Sequence, residues 1–536
     1  MRHRTALAAH ALVAAALALA GVRASAAATP SPLWADLEPG SHAVGFQVIE
    51  RRDPSRPYRY PFDLDGRPRT VDTARPLQIG VWYPATAGTG TPMLLGDYVT
   101  LMGSEQDFTL APAERARRGE AAYFAFEVVR PATAEQRQRL LALPTAARRD
   151  ATATAGKFPV VVWSLGSPAV YQASAEHLAS HGYVVAIVPR IPPYVSLADT
   201  SPTRPDFDAK SRDFDFLLAE LARLPFADVT NVGVTGFSAG GRWAIAEAMR
   251  NPNVHAVVSQ DSVLLFGDDG AGQLAGMPWY DPDRVRVPVL HMIRRDWVPR
   301  EEGDQLWAAM RNADRTRVVF EPKALDHLDF ASMGYASTLV GLRPEAKDAI
   351  VKAFPAWQRA TLWFLDAHLK GDATARAQIA ALPSSIGLPA SFIKVERLAG
   401  AKGLPDESQL AEALVEDFAG ALPRVRALLA KTGGSPAVER AINLSAYQLL
   451  ALRRAADAMS LFQLNSETFA DSANVWDSLA DGYEATGATE QAIAASRKAL
   501  DLLARDTTTP QARRDLIRQS AEQRMARLQP QTAGKG

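Results

Sequence analysis

Between residues 44 and 320, short apolar and β-branched runs bounded by turn residues alternate with longer stretches of helical periodicity. Runs of about four to eight such residues read as strands buried on both faces, and their alternation with helices predicts a mainly parallel sheet covered by helices. The runs are Val44–Ile49, Leu77–Tyr83, Pro159–Trp163, Tyr183–Val188, Asn231–Thr235, His255–Ser259, Pro288–Ile293 and Thr316–Phe320, eight in all. The first two have no helix-sized gap between them, so they are expected to pair antiparallel at one edge. An insertion at about 97–156, rich in Ala, Arg and Glu, reads as helical over Pro112–Arg118 and Thr133–Leu143 and is assigned no chemistry.

Beyond Leu369 the pattern changes. Residues 376–434 read as a helical linker, with one or two amphipathic helices over Gln409–Lys431. From Ser435 to the end, large residues recur at helix contacts and small ones where two helices cross: Trp476-x2-Leu479-Ala480-x2-Tyr483, then Gly487 and Ala492, fit the tetratricopeptide (TPR) pattern. A shift of 34 residues lays Trp476 on Ile442, Ala480 on Ala446, Tyr483 on Leu449, Ala492 on Ala458 and Ser496 on Phe462. Two units are visible, with Thr508–Leu528 as a capping helix. Repeat stacks usually need about three units to stand alone, so this pair is expected to lean on the α/β domain or on a second chain.

Composition narrows the function classes. Lys plus Arg equals Asp plus Glu at 59 each, so no net field favours nucleic acid or an anionic membrane. The chain contains no cysteine, which removes disulfides, thiolate metal sites and a cysteine nucleophile. Arg2 and Arg4, the apolar stretch Ala6–Val22 and the site Ala24-Ser25-Ala26 read as a cleavable signal peptide over 1–26. Export to the periplasm or the medium is therefore expected, with a mature chain from Ala27 whose α/β domain runs over 27–375. No other segment approaches the ~18 uninterrupted apolar residues of a membrane span.

The candidate chemistry centres on Gly236-Phe237-Ser238-Ala239-Gly240, a G-x-S-x-G elbow between a strand-like and a helix-like stretch. Glycines permit the sharp turn that lifts the serine hydroxyl above a sheet, which makes Ser238 the candidate nucleophile. A base, an orienting acid and oxyanion donors must accompany it. Of nine histidines, His327 stands in the loop after the last predicted strand, where the base of such a sheet belongs. His255 and His291 read as core residues within strands. His181 ends a helix before Gly182, where an imidazolium is favourable. Asp261 and Asp296 each follow a predicted strand, and either can orient the base; Asp261 is preferred, with Asp296 as the alternative acid. The loop Ser164-Leu165-Gly166-Ser167-Pro168 supplies the second oxyanion donor, the Ser167 N–H, beside that of Ala239.

Phe158-Pro159-Val160-Val161-Val162-Trp163-Ser164-Leu165-Gly166, Tyr171, His177-Leu178-Ala179-Ser180-His181-Gly182-Tyr183-Val184-Val185 and the elbow together resemble the platelet-activating-factor acetylhydrolase and dienelactone hydrolase-like branch of the α/β-hydrolases. The resemblance covers roughly Gly40 to Leu369 and includes Arg75-Pro76-Leu77-Gln78-Ile79-Gly80-Val81-Trp82-Tyr83-Pro84. It implies an eight-stranded, mostly parallel α/β-hydrolase sheet with helices on both faces, and acyl transfer on carboxylic esters with no metal or organic cofactor. The acetylhydrolases favour Asp261 as the acid and the dienelactone hydrolases favour Asp296. The family's His-Gly in the oxyanion loop is Leu165-Gly166 here, which leaves the main-chain donors intact but unties the substrate preference. Trp163, Tyr171, Trp243 and Trp297 are candidates to line an apolar pocket. Three rival readings are a peptide-binding or self-associating scaffold built on the TPR-like tail, an acyltransferase and a serine peptidase.

Overall fold

The computed structural model describes residues 30–57, 74–164, 166–189, 191, 204–262, 264, 272–297, 305–400, 407–507 and 509–529. The expected signal peptide over 1–26 lies outside them. The chain divides into two compact units, Met1–Ala401 and Lys402–Gly536, a boundary inside the stretch read as a linker.

The first unit has an α/β-hydrolase fold built on one sheet. Its strands are β1 (Ala43–Pro57), β2 (Ala74–Ala85), β3 (Thr91–Leu94), β4 (Pro144–Arg149), β5 (Phe158–Trp163), β6 (Val184–Ile187), β7 (Ala227–Phe237), β8 (Val254–Gln260), β9 (Val289–Arg294), β10 (Arg315–Phe320) and β11 (Ile393–Leu398). They lie in the order β11-β10-β9-β8-β7-β5-β6-β2-β1-β4-β3. All eight expected strands are present, and β5 to β10 pair parallel with their neighbours in that set. β1 and β2 do pair antiparallel, but inside the sheet rather than at its edge. The insertion returns β4 alongside β1, and β3 lies beyond it. At the opposite edge β11 pairs antiparallel with β10.

Two apolar layers cover the faces. Helix Pro168–Ser180, which follows β5, and the long helix Lys347–Leu369 pack on one face. Helices Arg204–Leu221 and Ala239–Arg250, the second following β7, pack on the other. β5 and β7 are neighbours whose following helices leave to opposite faces, which opens a crevice between their carboxyl ends. β2 is buried along nearly its whole length, as its run of apolar residues requires. Within it, Arg75 pairs with Asp213 at 2.7 Å; Arg56 of β1 lies 3.0 Å from the same carboxylate and 2.6 Å from Asp53, so two buried cations meet two carboxylates.

The second unit is all helical over its described residues: Glu407–Glu416, Phe418–Thr432, Pro436–Ala451, Ala455–Thr468, Ala473–Ala485, Thr489–Leu503 and Gln511–Leu528. Ile442, Ala446, Leu449, Ala458, Ala480, Ala492 and Ser496, all positions of the 34-residue alignment, are buried. The last helix adds a buried guanidinium. Arg524 reaches Asp477 at 2.9 Å, Asp481 at 2.5 Å and Glu484 at 3.3 Å, all on the helix Ala473–Ala485 or its final turn.

Candidate active site

Ser238 follows β7 at φ 56° and ψ −128°, before the helix Ala239–Arg250 begins. Backbone in that region costs a residue with a Cβ about 1–3 kcal/mol and persists only where the surroundings fix it. Here the Ser238 N–H donates to the Gln260 carbonyl at 2.9 Å and the Ser262 hydroxyl donates to the Ser238 carbonyl. A Cβ on Gly236 would collide with the Gly240 carbonyl, which accepts from the Ser164 hydroxyl at 2.6 Å. The turn is as tight as the motif requires.

Asp261 is the first residue beyond β8, also at positive φ, 41°, with its carboxylate fully buried. Its N–H donates to the Met292 carbonyl of β9 at 2.7 Å, which anchors the turn to the neighbouring strand. His327 opens the short turn His327–Phe330 beyond β10. Its Nδ1 lies 2.6 Å from Asp261 Oδ2. With the carboxylate ionised, Nδ1 carries the proton and donates, and Nε2 keeps its lone pair. The Phe237 ring, next in sequence to Ser238, stacks on the imidazole with centroids 4.4 Å apart and planes at 29°. Asp296 is exposed in the turn Arg295–Trp297, and among the described residues no hydrogen bond or ion pair joins it to His327.

Ser167 precedes the helix Pro168–Ser180 and Ala239 opens the helix Ala239–Arg250, so two helix N-termini stand at the ends of neighbouring strands. Such ends favour negative charge. Leu165 of the intervening loop lies outside the described residues. Gly166 adopts φ 127°, and a Cβ there would collide with the Tyr171 ring. Tyr171 in turn stacks on Trp163 at 4.7 Å and meets Phe237 edge-on at 6.1 Å. Trp163, Tyr171 and Trp243 are therefore buried packing residues, and Trp163 and Trp243 line a small cavity with Ser164, Lys210, Asp213 and Glu247. The Trp297 side chain lies outside the description.

The other histidines sort differently from expectation in two cases. His291 is buried, as read, but His255, the second residue of β8, is the one exposed residue of that strand. His181 does sit at the helix end, yet burial holds its imidazole below the usual value, so the favourable cation expected there is opposed by desolvation.

Two residues were missed in the sequence. Arg294, the last residue of β9, directs its guanidinium at Asp261: Nε lies 3.1 Å from Oδ2, an ion pair rather than an aligned hydrogen bond, while its backbone N–H donates to Oδ1 at 3.0 Å. Glu105 lies beside the Ser167 hydroxyl and Lys210; burial raises its carboxyl to about 7 against the pull of both. The Arg294 position had a signal, since a charged residue closing an apolar strand calls for a partner at the strand ends. Glu105 had none.

No family model and no curated protein matches the sequence. Among solved structures, the chain is similar to a ferulic acid esterase from Streptomyces cinnamoneus, with 17% identity and a TM-score of 0.46 over 67% of this chain and 98% of that one.

Proposed function

We propose that the chain is a serine hydrolase of carboxylic esters, with Ser238 as nucleophile, His327 as base and Asp261 as the acid that orients it. The observation carrying this reading is the 2.6 Å approach of His327 Nδ1 to the buried Asp261 carboxylate, at a strand end adjoining that of Ser238. Exposed Asp296 is set aside as the acid. His327 Nε2 takes the Ser238 proton as Oγ bonds the ester carbonyl carbon, and the Ser167 and Ala239 N–H groups stabilise the developing oxyanion. The C–O bond breaks, and the alcohol leaves with the proton from Nε2. A water, deprotonated by Nε2, then attacks the acyl-enzyme and releases the acid and free Ser238. None of these steps draws on a metal or organic cofactor.

The natural setting is proposed to be the periplasm or the medium, after removal of residues 1–26. The helical unit is proposed as a TPR-like platform for a peptide segment or a second copy of the chain. The catalytic reading is tested with p-nitrophenyl esters of increasing acyl length, using the chain from Ala27 and its Ser238→Ala variant. Hydrolysis and fluorophosphonate labelling that both vanish with the hydroxyl support it. A parent that neither hydrolyses nor labels overturns it.

A further inference from the structure

The Asp261 carboxylate is shared. Its Oδ2 faces His327 Nδ1 at 2.6 Å and Arg294 Nε at 3.1 Å, so imidazole and guanidinium compete for one oxygen. Oδ1 is held by the Arg294 backbone N–H at 3.0 Å. Both contacts from Arg294 come from the end of β9, the strand between those that carry Asp261 and His327. Among the described residues, two further carboxylates at this corner have partners. Asp326 Oδ1 accepts from the His327 N–H at 2.6 Å and lies 3.4 Å from Arg294 Nη1, and Asp329 is held by Arg343 at 2.6 Å. The carboxylate is wholly buried and the guanidinium only 15% exposed, so solvent screens their interaction weakly.

We propose that Arg294 is a positioning residue for the proposed Ser238–His327–Asp261 machinery, which fixes the orientation of the Asp261 carboxylate and sets the low-pH limit of activity. The inference rests on the catalytic reading above. A buried carboxylate facing imidazole alone gives its whole field to the imidazolium and pushes the working range to higher pH. The arginine takes part of that field, and its own positive charge also disfavours a second cation a few ångströms away. The imidazole then stays neutral, and able to accept the serine proton, to lower pH. The same contact adds a full cation to a buried charge that otherwise has the imidazole and one backbone N–H to offset its loss of solvation. The residue touches neither ester nor serine in this scheme; it acts through Asp261.

The experiment compares the parent chain with Arg294→Gln and Arg294→Lys. Two readouts are the pH profile of kcat/KM on p-nitrophenyl acetate and the titration of the His327 ring followed by NMR of labelled histidine. In Arg294→Gln the acid limb and the ring titration are expected to move together to higher pH, by roughly one unit, the size usual for a charge at this range. Arg294→Lys, which keeps the charge, is expected to return most of the shift. A purely structural role would lower the plateau in both variants and leave the limb in place, and that result overturns the proposal. So does a ring titration that is the same in parent and Arg294→Gln. Failure of the catalytic reading is seen separately, as a parent without esterase activity or Ser238 labelling, while the ring titration still decides the charge coupling.

Discussion

Acidifying the protein should destabilise it through two histidines that take no part in the proposed chemistry. His177 packs edge-on against Trp34 at 5.5 Å and its Nε2 lies 3.1 Å from the Glu38 carbonyl, with His181 and Arg359 adding positive charge nearby. His291 lies 3.1 Å from the Ser259 hydroxyl, with Trp307 alongside at 5.6 Å and Arg317 nearby. Burial lowers each imidazole from 6.5 to about 3. The unfolded chain therefore takes up these protons first. Stability from them is complete above about pH 6.5 and is lost as the pH falls toward about 3. Between pH 7 and pH 5 each histidine removes about 2 kcal/mol, a figure that depends on the unfolded value and requires only that the folded one stay below 5. Buried Glu176 and Glu247, raised to about 7 and about 8, work in the opposite direction, so the parent's own pH curve mixes both signs. The difference between parent and variant isolates one group. Urea midpoints of parent, His177→Gln and His291→Gln, followed by tryptophan fluorescence, should give a stability difference that shifts by about 2 kcal/mol in the variant's favour from pH 7 to pH 5. A difference constant to within about 0.5 kcal/mol would refute the argument, because the folded protein would then be binding the proton as readily as the unfolded chain.

Two further outcomes concern the site. Asp261→Asn keeps the shape but removes the charge facing the imidazolium; at ~4 Å and an effective dielectric of ~20 that charge is worth up to ~4 kcal/mol, so kcat/KM on p-nitrophenyl acetate should fall by about 10³. Asp296→Asn should stay within about threefold of the parent, as a surface substitution does, and equal losses in the two variants would return the acid to the open question it was in the sequence. Gly166→Ala places a methyl against the Tyr171 ring and strains a left-handed residue next to a proposed oxyanion donor. Its kcat should drop by about 10² with KM little changed, measured on the same ester.

The strands legible in the sequence are those whose burial on both faces leaves an unbroken apolar run, such as Val160–Val162 and Val257–Val258. The strands that escaped notice lie at the sheet's margins. β4, Pro-Thr-Ala-Ala-Arg-Arg, has one buried residue, Ala147, and its composition reads as helix or loop. β11, Ile-Lys-Val-Glu-Arg-Leu, alternates in the manner of a half-exposed strand but follows a helical stretch that masked it. The elbow and His327 were legible because local sequence dictates a strand, a turn and a strand end. The pairing of His327 with Asp261 was not, since two carboxylates stand at successive strand ends and only the turn at Asp261, tied to Met292, aims one of them inward. The share that Arg294 takes in that carboxylate depends on strand order, which no local pattern carries.

The buried arginine of the helical unit has a consequence for the order in which that unit is completed. The ridge formed by Asp477, Asp481 and Glu484 is separated along the chain from Arg524, the cation that meets all three, by the whole helix Thr489–Leu503. Until the last helix docks, those carboxylates face one another without their cation, so this side of the helix Ala473–Ala485 takes its final environment only with Arg524 in place. Completion of the unit thereby waits for the helix Gln511–Leu528. Truncation before Gln511 would take the neutralising charge from the ridge rather than trim a dispensable tail.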